Sequence, residues 1–187
     1  MKLIFHGAAK QVTGSNYLLE VAGEKFLIDC GLHQGGNFCE RHNWDPFPYR
    51  PSEIKAVFVT HSHVDHIGRL PKLAREGFRG PIYSTLPTRD AAELLLLDSD
   101  HILAQDAEKF KQPVLFTKDD VAKVMKQWHG VEYHAPIIIG SGSDKVIATF
   151  GNAGHILGSS FLTLEAEGKK IIFSLKNPFP GFTLITT

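Results

Sequence analysis

The chain has 187 residues, 43% of them apolar and 21% charged, with 20 Lys and Arg against 20 Asp and Glu for a formal net charge of +0. That length supports one buried core and a single domain. The balanced charge excludes a strongly basic nucleic-acid module, so any nucleic-acid substrate would be held by a local patch or by a further part of the protein.

The N-terminal stretch Met1 to Gly7 is apolar but interrupted by His6 and lacks a cleavage pattern. It reads as a first strand and not as a signal peptide. No run of about 18 apolar residues exists, which argues against a membrane span. Alternating apolar positions predict strands at Lys2–Phe5, Tyr17–Val21, Lys25–Asp29 and Ala56–Thr60, with Ala22-Gly23-Glu24 as a tight turn. Cys30 and Cys39 are too few for a disulfide framework and fit a reduced, cytoplasmic setting. A short helix is predicted from Gly68 to Glu76. A long one follows from Thr88, as cap, to about Lys111, with Leu94–Leu97 in the core. Thr117 and Asp120 form a capping-box pattern that opens a helix through Gln127, stopping near Gly130. Strands return at Ile137–Ile139, Lys145–Phe150, Phe161–Glu165 and Lys170–Ser174.

An internal echo organises these elements. Gly14-Ser15-Asn16 through Asp29 reappears as Gly158-Ser159-Ser160 through Ser174, and the match extends upstream to Phe5–Ala9 against Thr149–Ala153. Two such hairpin units separated by a helical segment predict two similar sheets packed face to face, with helices outside.

The chemistry lies in Val57-Phe-Val-Thr-His61-Ser-His63-Val-Asp65-His66, an apolar strand running into four ligand-type side chains. Imidazoles and a carboxylate are the donors that zinc and related divalent ions take. An extended backbone points His61 and His63 to one side, and Asp65 and His66 fall at the start of the next helix. The spacing suits two adjacent ions, one on each pair. His155, in a Gly-bracketed loop, supplies the third imidazole of the first site and leaves a fourth position for water, which is the catalytic pattern. Asp29 reads as a carboxylate orienting a ligand histidine or the strand-end loops, with a strand-terminating turn residue as the alternative. The remaining histidines lack a ligand pattern. Arg69, Lys72, Arg75 and Arg79 read as a solvated helix face, phosphate binding being the alternative.

These residues resemble the metallo-β-lactamase superfamily, and more closely its β-CASP ribonuclease branch, which includes RNA-processing and mRNA 3′-end cleavage nucleases. Gly7 to Ser15, Leu27 to Gly31, Arg69 to Tyr83 and Ala153 to Ser159 carry the resemblance alongside the histidine motif, over about residues 1–174. It implies an α/β (α+β) fold of the αββα sandwich type. His61, His63 and His155 would bind a first Zn²⁺, and Asp65 and His66 a second. Asp65 and His66 would be the catalytic pair, and RNA phosphodiester hydrolysis the reaction. Thioester or lactam hydrolysis, and a catalytically dead metal-binding remnant, are the alternatives. The resemblance also implies a Ser-Gly-Asp after the last strand, but no acidic residue follows Glu167. The reading is therefore of an N-terminal portion over 1–174, a divergent tail over 175–187, no β-CASP domain and an incomplete second half of the sandwich. A full first zinc site, a weakened second site, impaired activity and homo-oligomers formed through the incomplete sheet are expected from it.

Overall fold

The computed structural model describes residues 1–9 and 12–174. The expected tail over 175–187 lies outside the described residues. Among the described residues ten strands form two sheets. The larger contains β1 (Lys2–Phe5), β2 (Tyr17–Val21), β3 (Glu24–Ile28), β4 (Ile54–Phe58), β5 (Ile82–Thr85) and β6 (Trp128–Val131), in that order. The smaller runs in the order β10 (Lys169–Phe173), β9 (Ser160–Ala166), β8 (Val146–Asn152), β7 (Ile137–Ile139). The first three strands of the larger sheet are antiparallel, and β3 through β6 are parallel.

The echo in the sequence is a structural repeat. In each sheet a strand, a loop and a hairpin form a three-stranded meander: β1-β2-β3 in one and β8-β9-β10 in the other. Both hairpin turns use two consecutive left-handed residues, Ala22 (φ 51) and Gly23 (φ 74), then Glu167 (φ 54) and Gly168 (φ 68). Two positive φ values in a two-residue loop match the right-handed twist of the flanking strands.

The sheets face each other across Leu19, Phe26, Ile28, Phe58, Phe150, Leu162, Leu164 and Phe173. On the other face of the larger sheet a second core forms, where Leu27, Val57 and Ile82 meet residues of the helices. Those helices are α1 (Asn37–Arg41), α2 (Val64–Ile67), α3 (Leu70–Arg75), α4 (Leu86–Asp98), α5 (Asp100–Phe110) and α6 (Lys118–Gln127). Helices outside both sheets were expected. Among the described residues they cover the larger sheet alone, and Ile138 on the smaller sheet is 59% exposed.

Several expectations are corrected by packing. The long helix is two, meeting at Ser99, whose hydroxyl bonds back to the Leu95 carbonyl at 2.7 Å in the manner that bends helices. Thr85 takes the N-cap position of α4, and Thr88, the expected cap, is buried and hydrogen-bonds the Gly158 carbonyl. Four consecutive leucines cannot all face one side of a helix. Leu96 is buried at 1% while Leu94, Leu95 and Leu97 are exposed, so Leu94–Leu97 is core at one position only. The helix ends at Gln127 without a glycine: β6 follows directly, and Gly130 sits within that strand, where a Cβ would meet the Leu86 side chain at 2.8 Å. The capping box of Thr117 and Asp120 is formed as expected.

Candidate metal centre

Beyond β4 the chain leaves the sheet with an extended backbone at His63 (φ −60, ψ 143) and enters α2 at Val64. Segment 64–66 is pinned by its own backbone. Leu32 donates to the Val64 carbonyl at 2.9 Å, Ser15 to that of Asp65 at 2.9 Å and Cys30 to that of His66 at 2.7 Å. Gly31 permits this approach, since a Cβ there would overlap the Asp65 carbonyl oxygen. The loops after β1 and β3 thus hold the histidine motif in register.

Three imidazoles converge. His61 Nε2 lies 3.0 Å from His63 Nδ1, and His155 Nε2 lies 3.4 Å from the same atom. One nitrogen from each of His61, His63 and His155 fits within a 4.8 Å span. Two ligand nitrogens at about 2.0–2.1 Å from a tetrahedral zinc stand about 3.4 Å apart, so this donor set fits that ion in chemistry and in spread. Burial pushes the His61 pKa down to about 3, helped by the neighbouring His66, and desolvation and His155 lower that of His63. Both rings are therefore neutral near pH 7, the form that offers a lone pair to a metal.

Asp65 and His66 sit beside this triad, in the first turn of α2. His66 Nε2 is 3.7 Å from Asp65 Oδ2, and its ring centroid is 3.9 Å from that of His61. The other His66 nitrogen, Nδ1, is 2.7 Å from Asp29 Oδ2. Asp29 ends β3 in a left-handed conformation (φ 58) and is 1% exposed. Its carboxylate also accepts from Ser15 Oγ at 3.0 Å, from the Thr60 amide at 2.8 Å and from Thr60 Oγ1 at 2.9 Å. Burial alone would raise its pKa, but His66, His61 and the Thr60 amide reverse the direction and lower it. Burial opposes charge on His66, and Asp29 outweighs it, so the His66 pKa is raised. Asp29 is thus both the strand-terminating residue and the partner of a histidine in the motif.

His155 reaches the centre from the loop between β8 and β9, which is folded by hydrogen bonds from the His155 and Ile156 amides to the buried Ser159 hydroxyl at 3.0 and 3.1 Å. Thr85 and Thr88 both donate to the Gly158 carbonyl, at 2.6 and 2.9 Å, which fastens the loop to the start of α4. Gly158 has φ 80, and a Cβ would lie 2.6 Å from the Thr88 amide, so glycine is required there.

The expected solvated face of α3 is corrected at two positions. Arg69 and Lys72 are buried at 5% and 2%. Arg69 Nε donates to the Gly31 carbonyl at 2.6 Å and Lys72 to that of Asp45, and both stand over the Phe47 ring. Two buried cations paired with carbonyls hold the loop after β3 in place. Three contributors were missed by motif reading: Thr60, Ser15 and Ser159. The repeat contains a signal for two of them, because Gly14-Ser15 and Gly158-Ser159 are equivalent positions: the Ser15 hydroxyl bonds Asp29 and the Ser159 hydroxyl holds the His155 loop.

A family model described as the Metallo-beta-lactamase superfamily domain matches residues 18–177. Ribonuclease TTHA0252 of Thermus thermophilus is 40% identical over 174 residues, covering 93% of this chain and 37% of that protein. Transcription termination factor FttA of Methanosarcina mazei is 37% identical over 159 residues, covering 82% of this chain and 23% of that protein. This chain therefore spans well under half the length of either relative. Among solved structures, a metallo-β-lactamase with a HARLDQ motif from Cronobacter sakazakii superposes with TM-score 0.55 at 20% identity, over 92% of this chain and 60% of that one. That last likeness is one of fold.

Proposed function

Because the chain belongs to the metallo-β-lactamase superfamily, we propose that it is the metal-binding part of an RNA phosphodiester hydrolase. In this reading His61, His63 and His155 hold one zinc, and Asp65 with the Nε2 of His66 face a second, weaker position. The observation that carries it is the approach of His155 Nε2 to His63 Nδ1, 3.4 Å apart across 92 residues of sequence. Relatives whose names include a ribonuclease and a transcription termination factor support RNA over other substrates. The likeness to β-lactamase structures is of fold and favours no lactam.

When bound, zinc supplies Lewis acidity that brings the pKa of water towards neutrality and offsets phosphodiester charge. The chain's own groups do the rest. The neutral His61 and His63 rings present lone pairs without first losing a proton. Asp65, partly exposed at the mouth of the centre, can orient a water and receive its proton. Among the described residues the three imidazoles of His61, His63 and His155 are the one group of three donors within 4.8 Å of one another, so we propose tight binding of one ion and weak binding of another beside Asp65 and His66.

No helix among the described residues is long and apolar enough to cross a membrane. Both cysteines are free, which fits the proposed reducing cytoplasm. Pairing of two chains along the outer edge of β10 is the form of self-association we propose, and light scattering across a concentration series tests it.

The functional test uses purified chain prepared without chelator. Metal analysis should find about one tightly held zinc per chain, and a labelled single-stranded RNA should be cleaved faster than a β-lactam or a thioester. Absence of tight zinc, or cleavage confined to the lactam or thioester, overturns this reading.

A further inference from the structure

The Thr60 side chain is buried, at 3% exposure, between the two halves of the centre. Its Oγ1 lies 2.9 and 3.1 Å from the two Asp29 oxygens, 3.1 Å from His61 Nδ1 and 3.4 Å from His66 Nδ1. A hydroxyl has one proton to give, and an ionised carboxylate only accepts. The Thr60 proton therefore goes to Asp29. The His66 Nδ1–H also goes to Asp29, its nearer acceptor at 2.7 Å, and the closer imidazole contact of the hydroxyl requires His61 Nδ1 to carry a proton and donate it to Thr60. That assignment leaves the His61 Nε2 lone pair free, on the atom 3.0 Å from His63 Nδ1. On the other side Asp29 accepts the Nδ1–H of His66 at 2.7 Å, which leaves His66 Nε2 towards Asp65.

We infer that Thr60 is a positioning residue which, as a hydroxyl bridge, lets the single carboxylate of Asp29 orient one imidazole on each side of the centre. His66 is oriented directly and His61 through Thr60. The inference rests on the proposed metal reading and adds to it a residue and a coupling: loss of the hydroxyl affects chiefly the His61 side, since His66 keeps its shorter bond to Asp29, whereas loss of the carboxylate affects both. The backbone of Thr60 has a separate task, since its carbonyl accepts from the Ser160 amide at 2.9 Å and from Ser160 Oγ at 3.0 Å. A valine in its place keeps that backbone and the branched shape while deleting the bridge.

The test compares wild type with Thr60→Val, Thr60→Ser, Asp29→Asn and His61→Ala by zinc titration against a chromophoric chelator. Imidazole NMR on the zinc-loaded protein reads the His61 Nδ1–H. Thr60→Val should bind its first zinc about 10–100-fold more weakly, while Thr60→Ser stays within about threefold of wild type, as for other groups that orient a metal-bound histidine. Asp29→Asn should weaken the first ion and abolish detectable binding of the second. The His61 Nδ1–H should exchange slowly in wild type and rapidly in Thr60→Val. Equal zinc affinity in Thr60→Val and wild type, or a serine variant as weak as the valine, overturns the bridge and leaves the metal reading standing. If wild type takes up no zinc and His61→Ala changes nothing, the metal reading fails and the bridge with it. Should the valine variant not fold, the wild-type spectrum decides, since a rapidly exchanging His61 Nδ1–H is incompatible with a buried bond to Thr60.

Discussion

The Ser159 hydroxyl receives the backbone N–H of His155 at 3.0 Å, so the residue four places along the chain fixes where the third imidazole stands. The same oxygen accepts from Ile156, and Ser159 is 0% exposed. Replacing it with alanine strips the acceptor from two amides of a tight loop. Ser159→Ala should cost about 1–2 kcal/mol of stability, read by urea denaturation. It should also weaken zinc binding by about 10–100-fold, as for other groups that hold a ligand in place. Unchanged zinc affinity would mean that the loop keeps its shape without the serine.

The two halves of the centre should separate by mutation. His155→Ala removes a nitrogen from the triad, and the loss of zinc affinity should exceed the roughly 10–100-fold that outer partners contribute. His66→Ala leaves the triad intact, so one tightly held ion per chain should remain in metal analysis of the purified variant. Equal losses in the two variants would contradict a division into triad and side pair.

How far the sequence foretold this depends on what kind of contact decides each feature. The His61-to-His66 cluster and the two meanders are local patterns, and local spacing or repetition reveals them. The strands Ile82–Thr85 and Trp128–Val131 are four residues each and owe their extended form to parallel neighbours, so no periodicity announces them. Thr60 is invisible for another reason. A threonine at the end of a strand is unremarkable until folding brings Asp29 to its hydroxyl. Arg69 and Lys72 sit at helix-surface spacing and are buried only because the loop carrying Phe47 folds over them.

The four-leucine run gives a test of packing against composition. Leu96 is fully buried against the helical core, and Leu96→Ala should cost about 2–5 kcal/mol. Leu94 is 71% exposed, and Leu94→Gln, which exchanges one good helix former for another, should change stability by less than about 0.5 kcal/mol. Thermal or urea unfolding of the pair checks it. A large effect at Leu94 would mean that this face of α4 is covered in solution.

His33 gives a pH dependence whose sign follows from its surroundings. Burial, then the Arg69 and His42 charges, push its pKa from 6.5 down to about 4, with Asp45 opposing. The ring is 7% exposed, and its Nδ1 stands where a Cβ on Gly14 would be, at 2.3 Å. An unfolded chain takes up this proton near pH 6.5 and the folded chain near pH 4. The contribution of His33 to stability is therefore complete above pH 6.5, declines as pH falls towards 4, and is flat below. Its full size is about 3–3.5 kcal/mol, from the free-energy equivalent of the shift. Urea unfolding with chelator present, at intervals from pH 7 to pH 4, should give a shallower acid decline for His33→Gln than for wild type, by close to one proton. Parallel profiles would show that the His33 ring titrates alike in both states and that its burial is not what sets the acid limb.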